Sequence, residues 1–162
     1  MMADNPISSR SKFLVFMDES EYARVALRFA CTRAKARGRP VEMLFIINPI
    51  EYNSIFAVSD VMKKDRRAEV EAKLTKFAEE AFAMSGITPS INIREGTPAE
   101  EIISCIAEDH AINMLVMCSA PAKASGGSKL LSTIVSEVDE KLHVPVMIVP
   151  AHLTDQQIQE LN

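Results

Sequence analysis

The stretch that most constrains the fold covers residues 112–149, INMLVMCSAPAKASGGSKLLSTIVSEVDEKLHVPVMIV. Its pattern predicts a buried strand, a loop of small residues, a helix and a second buried strand. The loop leaves the carboxyl end of a strand and enters the N-terminus of a helix. In open α/β sheets this position holds phosphates, because free backbone N–H groups and the positive end of the helix dipole point at it. The stretch therefore predicts an α/β sheet and the place of a nucleotide-type site.

The remainder of the chain alternates strands and helices. Apolar runs predict further strands, and amphipathic spacing predicts helices between them. The predicted strands cover residues 13–17, 41–47, 89–94, 112–117 and 144–149, and the helices cover 21–37, 60–84, 98–109, 128–142 and, at the end, 153–161. Residues 50–59 have no clear period and are interpreted as a loop. The order indicates a single-domain, open, doubly wound, mainly parallel five-stranded sheet with helices on both faces.

The third strand carries the pattern of an edge strand. Ile91 and Ile93 are expected to point inward, and Asn92 and Arg94 are expected to point outward. Such alternation is typical of a strand with one solvated face.

Three expectations concern individual helix residues. Val61 is placed on the buried side of the predicted helix 60–84. Thr97 is expected to cap the next helix, with Pro98 in its first turn and Glu100 closing a capping box. Thr154 is expected to cap the short terminal helix.

Length and composition give one domain. The 162 residues suffice for one core, so residues 12–150 form the predicted domain, 1–11 a flexible segment and 151–162 a tail. The net charge of −4 argues against non-specific nucleic-acid binding, which needs a basic surface. No apolar run approaches the ~20 residues of a membrane span. Three cysteines without a CxxC pair indicate reduced thiols and a cytoplasmic location.

The loop after the fourth strand holds the candidate phosphate-binding groups. It is rich in glycine and in hydroxyl side chains, whereas Pro121 has no N–H to donate. The candidates around it are Cys118, Ser119, Ser125, Gly126, Gly127, Ser128, Ser132 and Thr133.

Asp18 directly follows the first strand. If the first and fourth strands flank the point where the strand order reverses, Asp18 faces the loop across the crevice. Two interpretations stay open. Asp18 and Glu19 are oxygen ligands suited to Mg²⁺ beside a phosphate, or Asp18 caps the first helix.

Five pieces of the chain, taken in their order and spacing, carry a family resemblance: FLVFMDESEYARVALRFA, IREGTPAEEII, LVMCS, LLSTIVSEV and VPVMIVP. With these pieces the chain resembles the universal stress protein family from about residue 12 to residue 149. The resemblance implies the strand order 3-2-1-4-5 and a homodimer joined along the fifth strand. It also implies a role in stress adaptation without a well-defined catalytic reaction, in either an ATP-binding or a non-ATP-binding type.

ATP-binding members carry the pattern Gly-x2-Gly-x9-Gly followed by Ser or Thr. The corresponding positions here are Cys118, Pro121 and Ser132, followed by Thr133, with one extra residue in the spacing. All three glycines are absent, so close approach of the backbone to phosphate is lost. The same resemblance implies that Asp18 faces the adenosine end of the bound nucleotide.

Two further features follow from the alignment and the loop. Ile46 matches a residue of the family's adenine pocket. The segment Ser125-Gly126-Gly127-Ser128 is a candidate replacement anion nest, with Lys123 and Lys129 as a source of charge. The alternative is a flexible surface loop with solvated lysines.

The fifth strand predicts the dimer interface. An apolar edge without charge invites pairing with another chain, and Pro145 interrupts one ladder position only. A two-fold pairing would bury Val146 and Ile148, or Met147 and Val149. The predicted interface residues are Val144, Val146, Met147, Ile148 and Val149.

Together with what the family resemblance implies, these observations predict a cytoplasmic stress-response protein that acts as a non-catalytic, homodimeric binding or signalling module with a degenerate nucleotide site. The alternative is an ATP-binding switch with a rebuilt loop and slow hydrolysis, for which ATP with Mg²⁺ is the candidate cofactor. A more distant rival is an adenine-nucleotide-dependent enzyme of the same architecture. Expected partners are a second copy, an adenine nucleotide and an unidentified protein, but neither nucleic acid nor a membrane.

Overall fold

The computed structural model of the chain describes residues 11–49, 60–119 and 127–162. The strands are β1 (Lys12–Met17), β2 (Val41–Ile47), β3 (Ser90–Glu95), β4 (Ile112–Ser119) and β5 (Val146–Pro150). The helices are α1 (Glu21–Lys35), α2 (Asp60–Ser85), α3 (Pro98–Glu108), α4 (Gly127–Lys141) and α5 (Asp155–Glu160). The predicted flexible start, the predicted loop 50–59, and Pro121, Lys123, Ser125 and Gly126 lie outside the described residues.

The five strands form one parallel sheet in the order β3-β2-β1-β4-β5. This confirms the predicted fold class and strand order. The order reverses between β1 and β4, where Leu14 lies opposite Leu115 and Val15 opposite Val116. Both β1 residues are fully buried, as a central strand covered on both faces requires.

Helices cover both faces of the sheet. One core cluster joins the sheet to α1, α2 and α5, and a second joins it to α3 and α4. Ile158 of α5 and Leu74 of α2 belong to the first cluster, and Ile102 and Ile134 to the second; each is at most 1% exposed. The carboxyl ends of β1 and β4 open between these two layers.

Helix α2 differs from the prediction at its start. Val61, expected on the buried side, is 67% exposed, and the first buried residue of the helix is Val70. No part of the described core reaches the first turns, because the apolar cluster contacts α2 only from Val70 onward. The amphipathic pattern of the sequence therefore begins nearer the N-terminus of α2 than the part of the helix that packs on the core.

Strand β3 is at the edge of the sheet as predicted, but the predicted alternation of buried and solvated residues is only partly present. Ile93 packs on the first core cluster, whereas Ile91 is 37% exposed. Asn92 and Arg94, expected to be solvated, are half-buried instead. Asn92 Nδ2 donates to Glu42 Oε2 at 3.4 Å. Helix α3 covers this face, so its polar side chains find partners within the chain.

Two helix caps have different outcomes. Thr97 is the N-cap of α3 with Pro98 in its first turn, but its side chain makes no capping hydrogen bond, so the predicted capping box is wrong. The acidic side chain that lies over this turn is Glu101, whose Oε2 is 3.6 Å from Arg94 Nη1. Thr154 caps α5 as predicted, because its Oγ1 accepts the N–H of Gln157 at 3.2 Å.

Candidate functional site

A small crevice lies where β1 and β4 end at the carboxyl edge of the sheet. Its space between the described residues is about 20 Å³, which is room for about one water molecule. The lining residues come from both strands, from the turn between β1 and α1, and from α1 and α4: Phe16, Asp18, Ser20, Tyr22, Ala23, Met117, Cys118 and Leu130. The predicted pair of Asp18 and the end of β4 is therefore brought together.

Asp18 is held in a tight turn by Ser20. Asp18 Oδ1 accepts a hydrogen bond from the Ser20 N–H at 2.8 Å and a second from the Ser20 hydroxyl. This is the arrangement of an Asx turn. Ser20, and not Asp18, is the N-cap of α1, so the capping interpretation of Asp18 is wrong. The carboxylate is oriented at the strand end instead.

Glu19 turns away from the crevice and is bound by α2. Its Oε1 lies 2.6 Å from Arg66 Nη1, and Lys73 Nζ donates to its backbone carbonyl at 3.4 Å. The hydrogen bond from Arg66 lowers the pKa of the Glu19 carboxyl. Since Glu19 is paired with Arg66, the proposed Mg²⁺ pair with Asp18 receives no support here. Within residues 11–49, 60–119 and 127–162, no cluster of three or more His, Cys, Asp or Glu side chains is arranged to hold a metal.

Cys118 lies in β4 and not in the loop after it. The strand is two residues longer than predicted, because Cys118 pairs with Val149 and Ser119 with Pro150 of β5. Burial, and then the negative charge of Asp18, raise the pKa of the Cys118 thiol to about 11. The thiol is therefore protonated at neutral pH, which does not suit a nucleophile.

Several predicted site residues lie away from this crevice. Ile46 is 8% exposed and packs in the second core cluster, so it does not line the crevice. Ser132 and Thr133 are exposed on α4, and the Thr133 hydroxyl donates to the Lys129 carbonyl at 3.0 Å. Gly127 begins α4.

The prediction missed most of the crevice wall. Phe16, Met117 and Leu130 line the crevice as apolar residues, and their sequence pattern is that of ordinary core positions. Ser20 had a signal, since serine two residues after aspartate is typical of an Asx turn.

Residues 9–150 match the model of the universal stress protein family. The chain belongs to this family. The match covers all five strands and confirms the resemblance described above. No curated protein matches the sequence significantly.

Solved structures of the family share the fold. The universal stress protein UspA from Lactobacillus plantarum is 17% identical, with a TM-score of 0.66, 86% of this chain and 97% of that chain covered. The hypothetical protein MJ0577 is 25% identical, with a TM-score of 0.67, and the match covers 90% of this chain and 99% of that chain. A universal stress protein in complex with cAMP is 18% identical, with a TM-score of 0.62 and coverage of 87% and 97%.

None of the described helices is both long and apolar enough to cross a membrane.

Proposed function

We propose that this universal stress protein is a non-catalytic, cytoplasmic binding module that acts in the stress response as a homodimer. Asp18, at the edge of the crevice, accepts the ribose hydroxyls of an adenine nucleotide that lies over the ends of β1 and β4, and the phosphates are held poorly. The crevice itself has room for about one water molecule and does not enclose the nucleoside. The observation that carries the proposal is the position of Cys118, a half-buried thiol that lines the crevice with the carboxylate of Asp18, where the family resemblance implies a glycine in ATP-binding members.

Asp18 suits a sugar better than a phosphate. One carboxylate oxygen is held by Ser20, so the group is oriented before any ligand arrives. A carboxylate accepts hydrogen bonds from ribose hydroxyls, whereas it repels a phosphate at close range. The relative described above in complex with cAMP makes an adenine nucleotide the best candidate for this crevice.

The substituted glycine positions weaken phosphate binding. At Cys118 a side chain occupies the end of β4, where glycine would let phosphate approach the backbone. Pro121, outside the described residues, adds no N–H donor. Each lost charge-assisted hydrogen bond costs about 1.5–3 kcal/mol, or roughly ten- to a hundredfold in affinity. We therefore infer weak ATP binding.

A second candidate is an ATP-binding switch with slow hydrolysis. The observation that favours it is the start of α4 at Gly127, directly after Ser125 and Gly126 in the sequence. An N–H nest there would lie at the N-terminus of a 15-residue helix, a favourable place for an anion.

The homodimer is inferred from β5, which is the last strand of the sheet, so that none of the described strands pairs with its outer edge. Ile148 is 44% exposed, and Val146 shares its face of the strand. Val144 and Val149 are 7% and 1% exposed within one chain. Side-chain contacts with a second copy would therefore come from Val146 and Ile148 and not from the predicted alternative pair.

Native mass spectrometry of the purified protein tests this proposal, because it reports stoichiometry and bound nucleotide together. We expect a dimer without retained ATP. A protein that carries ATP or ADP in stoichiometric amount through purification would favour the switch instead.

A further inference from the structure

A second cleft, of about 170 Å³, opens at the opposite edge of the sheet, beside the amino end of β1. Its walls are Phe13, Arg33, Ala36, Arg37, Leu161 and Asn162. In the same measure it is several times larger than the crevice at Asp18. It is independent of the nucleotide crevice, and the family's glycine pattern does not involve it.

The end of α1 fixes where the basic side chains point. Gly38 has a φ of 60°, which reverses the chain after the helix. Its N–H donates to the Lys35 carbonyl at 3.3 Å, and the N–H of Arg39 donates to the Ala34 carbonyl at 3.0 Å. These two bonds form the terminating motif of a helix, so Arg37 and Arg39 are held by a defined backbone.

Two arginines line this cleft, and a third contacts the Phe13 ring that forms part of its wall. Arg33 and Arg37 line it and are spaced by four residues, which places them on the same side of the helix end. Arg39 packs over the ring of Phe13, with its Cζ 5.7 Å from the ring centroid. A cation–π contact leaves the edge of the guanidinium available for hydrogen bonds.

The side chains of Arg33, Arg37 and Arg39 have no carboxylate partner among the described residues. Four arginines elsewhere are paired with carboxylates: Arg24, Arg28, Arg66 and Arg94. Among the described residues, no carboxylate lies within 4.0 Å of the side-chain nitrogens of Arg33, Arg37 or Arg39. Arg33 and Arg37 thus place two positive charges at this cleft without an ion pair within 4.0 Å among the described residues, on a chain whose net charge is −4.

We propose that this cleft binds a polyphosphate group of two or more linked phosphates. Guanidinium groups bind phosphate oxygens in a bidentate manner, and two neighbouring forks in one cleft favour a chain of phosphates over a single anion. The group is either inorganic polyphosphate or the tail of a nucleotide. The same arginines also interact favourably with the C-terminal dipole of α1, which is their role if no ligand binds.

Calorimetric titration of the full chain with tripolyphosphate, at a low salt concentration of about 20 mM, tests the proposal. We expect saturable binding that weakens as salt increases. Arg33→Ala/Arg37→Ala should reduce the affinity by about tenfold or more for each arginine removed. The matched control Lys63→Ala/Lys64→Ala removes the same charge from exposed positions on α2 and should change little.

Three results would overturn the proposal: no saturable heat at millimolar tripolyphosphate, an equal loss in both double variants, or unchanged binding in Arg33→Ala/Arg37→Ala. If that variant fails to fold, Arg33→Lys/Arg37→Lys keeps the charge and loses the bidentate fork, and it should still weaken binding.

Two additional titrations identify the molecule that supplies the polyphosphate group and the cleft at which it binds. ATP binding to the same cleft points to a nucleotide tail, and binding of tripolyphosphate alone points to inorganic polyphosphate. Asp18→Ala should leave tripolyphosphate binding intact, so this proposal and the one for the nucleotide crevice fail separately. Loss of tripolyphosphate binding in Asp18→Ala would contradict the proposal that tripolyphosphate binds at the cleft of Arg33 and Arg37.

Discussion

The carboxylate of Asp18 and the thiol of Cys118 face each other across the carboxyl ends of β1 and β4. Both line the same crevice, and the charge of Asp18 adds to burial in raising the pKa of the Cys118 thiol to about 11. Ser20 fixes the carboxylate, and the pairing of β4 with β5 fixes the thiol. The site therefore combines an oriented acceptor with a neutral, partly buried sulfur.

This relationship predicts the reactivity of Cys118. Asp18→Asn removes the negative charge that raises the thiol pKa, so the thiolate fraction at pH 8 should increase and alkylation by iodoacetamide should become faster. Site-resolved mass spectrometry measures the rate at Cys118 separately from Cys31 and Cys105. Asp65→Asn, an exposed change of the same charge, is the control. Equal rates in both variants would show that Asp18 does not act on the thiol.

The inferred dimer predicts the effect of a single charge on the free edge of β5. Ile148→Lys replaces a side chain that is 44% exposed, so the monomer should stay folded while edge pairing is lost. Sedimentation velocity at micromolar concentration should change from dimer to monomer. Val61→Lys, at a position that is 67% exposed, should leave the dimer intact. An unmodified protein that sediments as a monomer would contradict the dimer.

The ion pairs of Lys12 with Asp109 and Glu42 predict that the stability of the fold depends on pH. Lys12 lies between the carboxylates of Asp109 and Glu42, and its hydrogen bond lowers the pKa of the Asp109 carboxyl. A carboxyl with a lowered pKa in the folded state stabilises the fold above about pH 4, and this contribution is lost as the pH falls through that lowered pKa.

Asp109→Asn should therefore reduce the free energy of unfolding at pH 7 by up to about 1 kcal/mol, since the pair is partly exposed. The difference from the unmodified protein should disappear towards pH 2. Urea denaturation at a series of pH values measures it, with Asp65→Asn as the control of equal charge. A difference that is constant across this range would assign the effect to packing and not to the ion pair.

The sheet could be predicted from the sequence because its apolar runs are short, continuous and separated by amphipathic helices. Residues 41–47 are an example, predicted and observed with the same bounds. The strand order came from the family resemblance. The end of β4 was placed too early, because Cys118 and Ser119 are small residues typical of a loop, while their pairing with β5 is a tertiary contact that no local pattern shows.

The candidate site was predictable only in part, for a similar reason. Asp18 and the end of β4 follow from the rule that ligands bind where the strand order reverses. Ser132 and Thr133 were carried over by alignment, and their exposure on α4 depends on how the helix packs around Ile134. The exposure of Val61 depends in the same way on where the core ends.

The central claim is that Asp18, at the edge of the crevice, binds the ribose of a nucleotide, while the phosphates of ATP are not held tightly. Calorimetric titration with Mg·ATP and with adenosine tests it most directly, on the unmodified protein and on Arg33→Ala/Arg37→Ala, which excludes binding at the basic cleft. We expect similar, weak affinities for both ligands in the high micromolar to millimolar range. Cys118→Gly/Pro121→Gly should strengthen the binding of Mg·ATP and leave the affinity for adenosine unchanged. A low-micromolar dissociation constant for Mg·ATP that survives the loss of Arg33 and Arg37 would contradict the account.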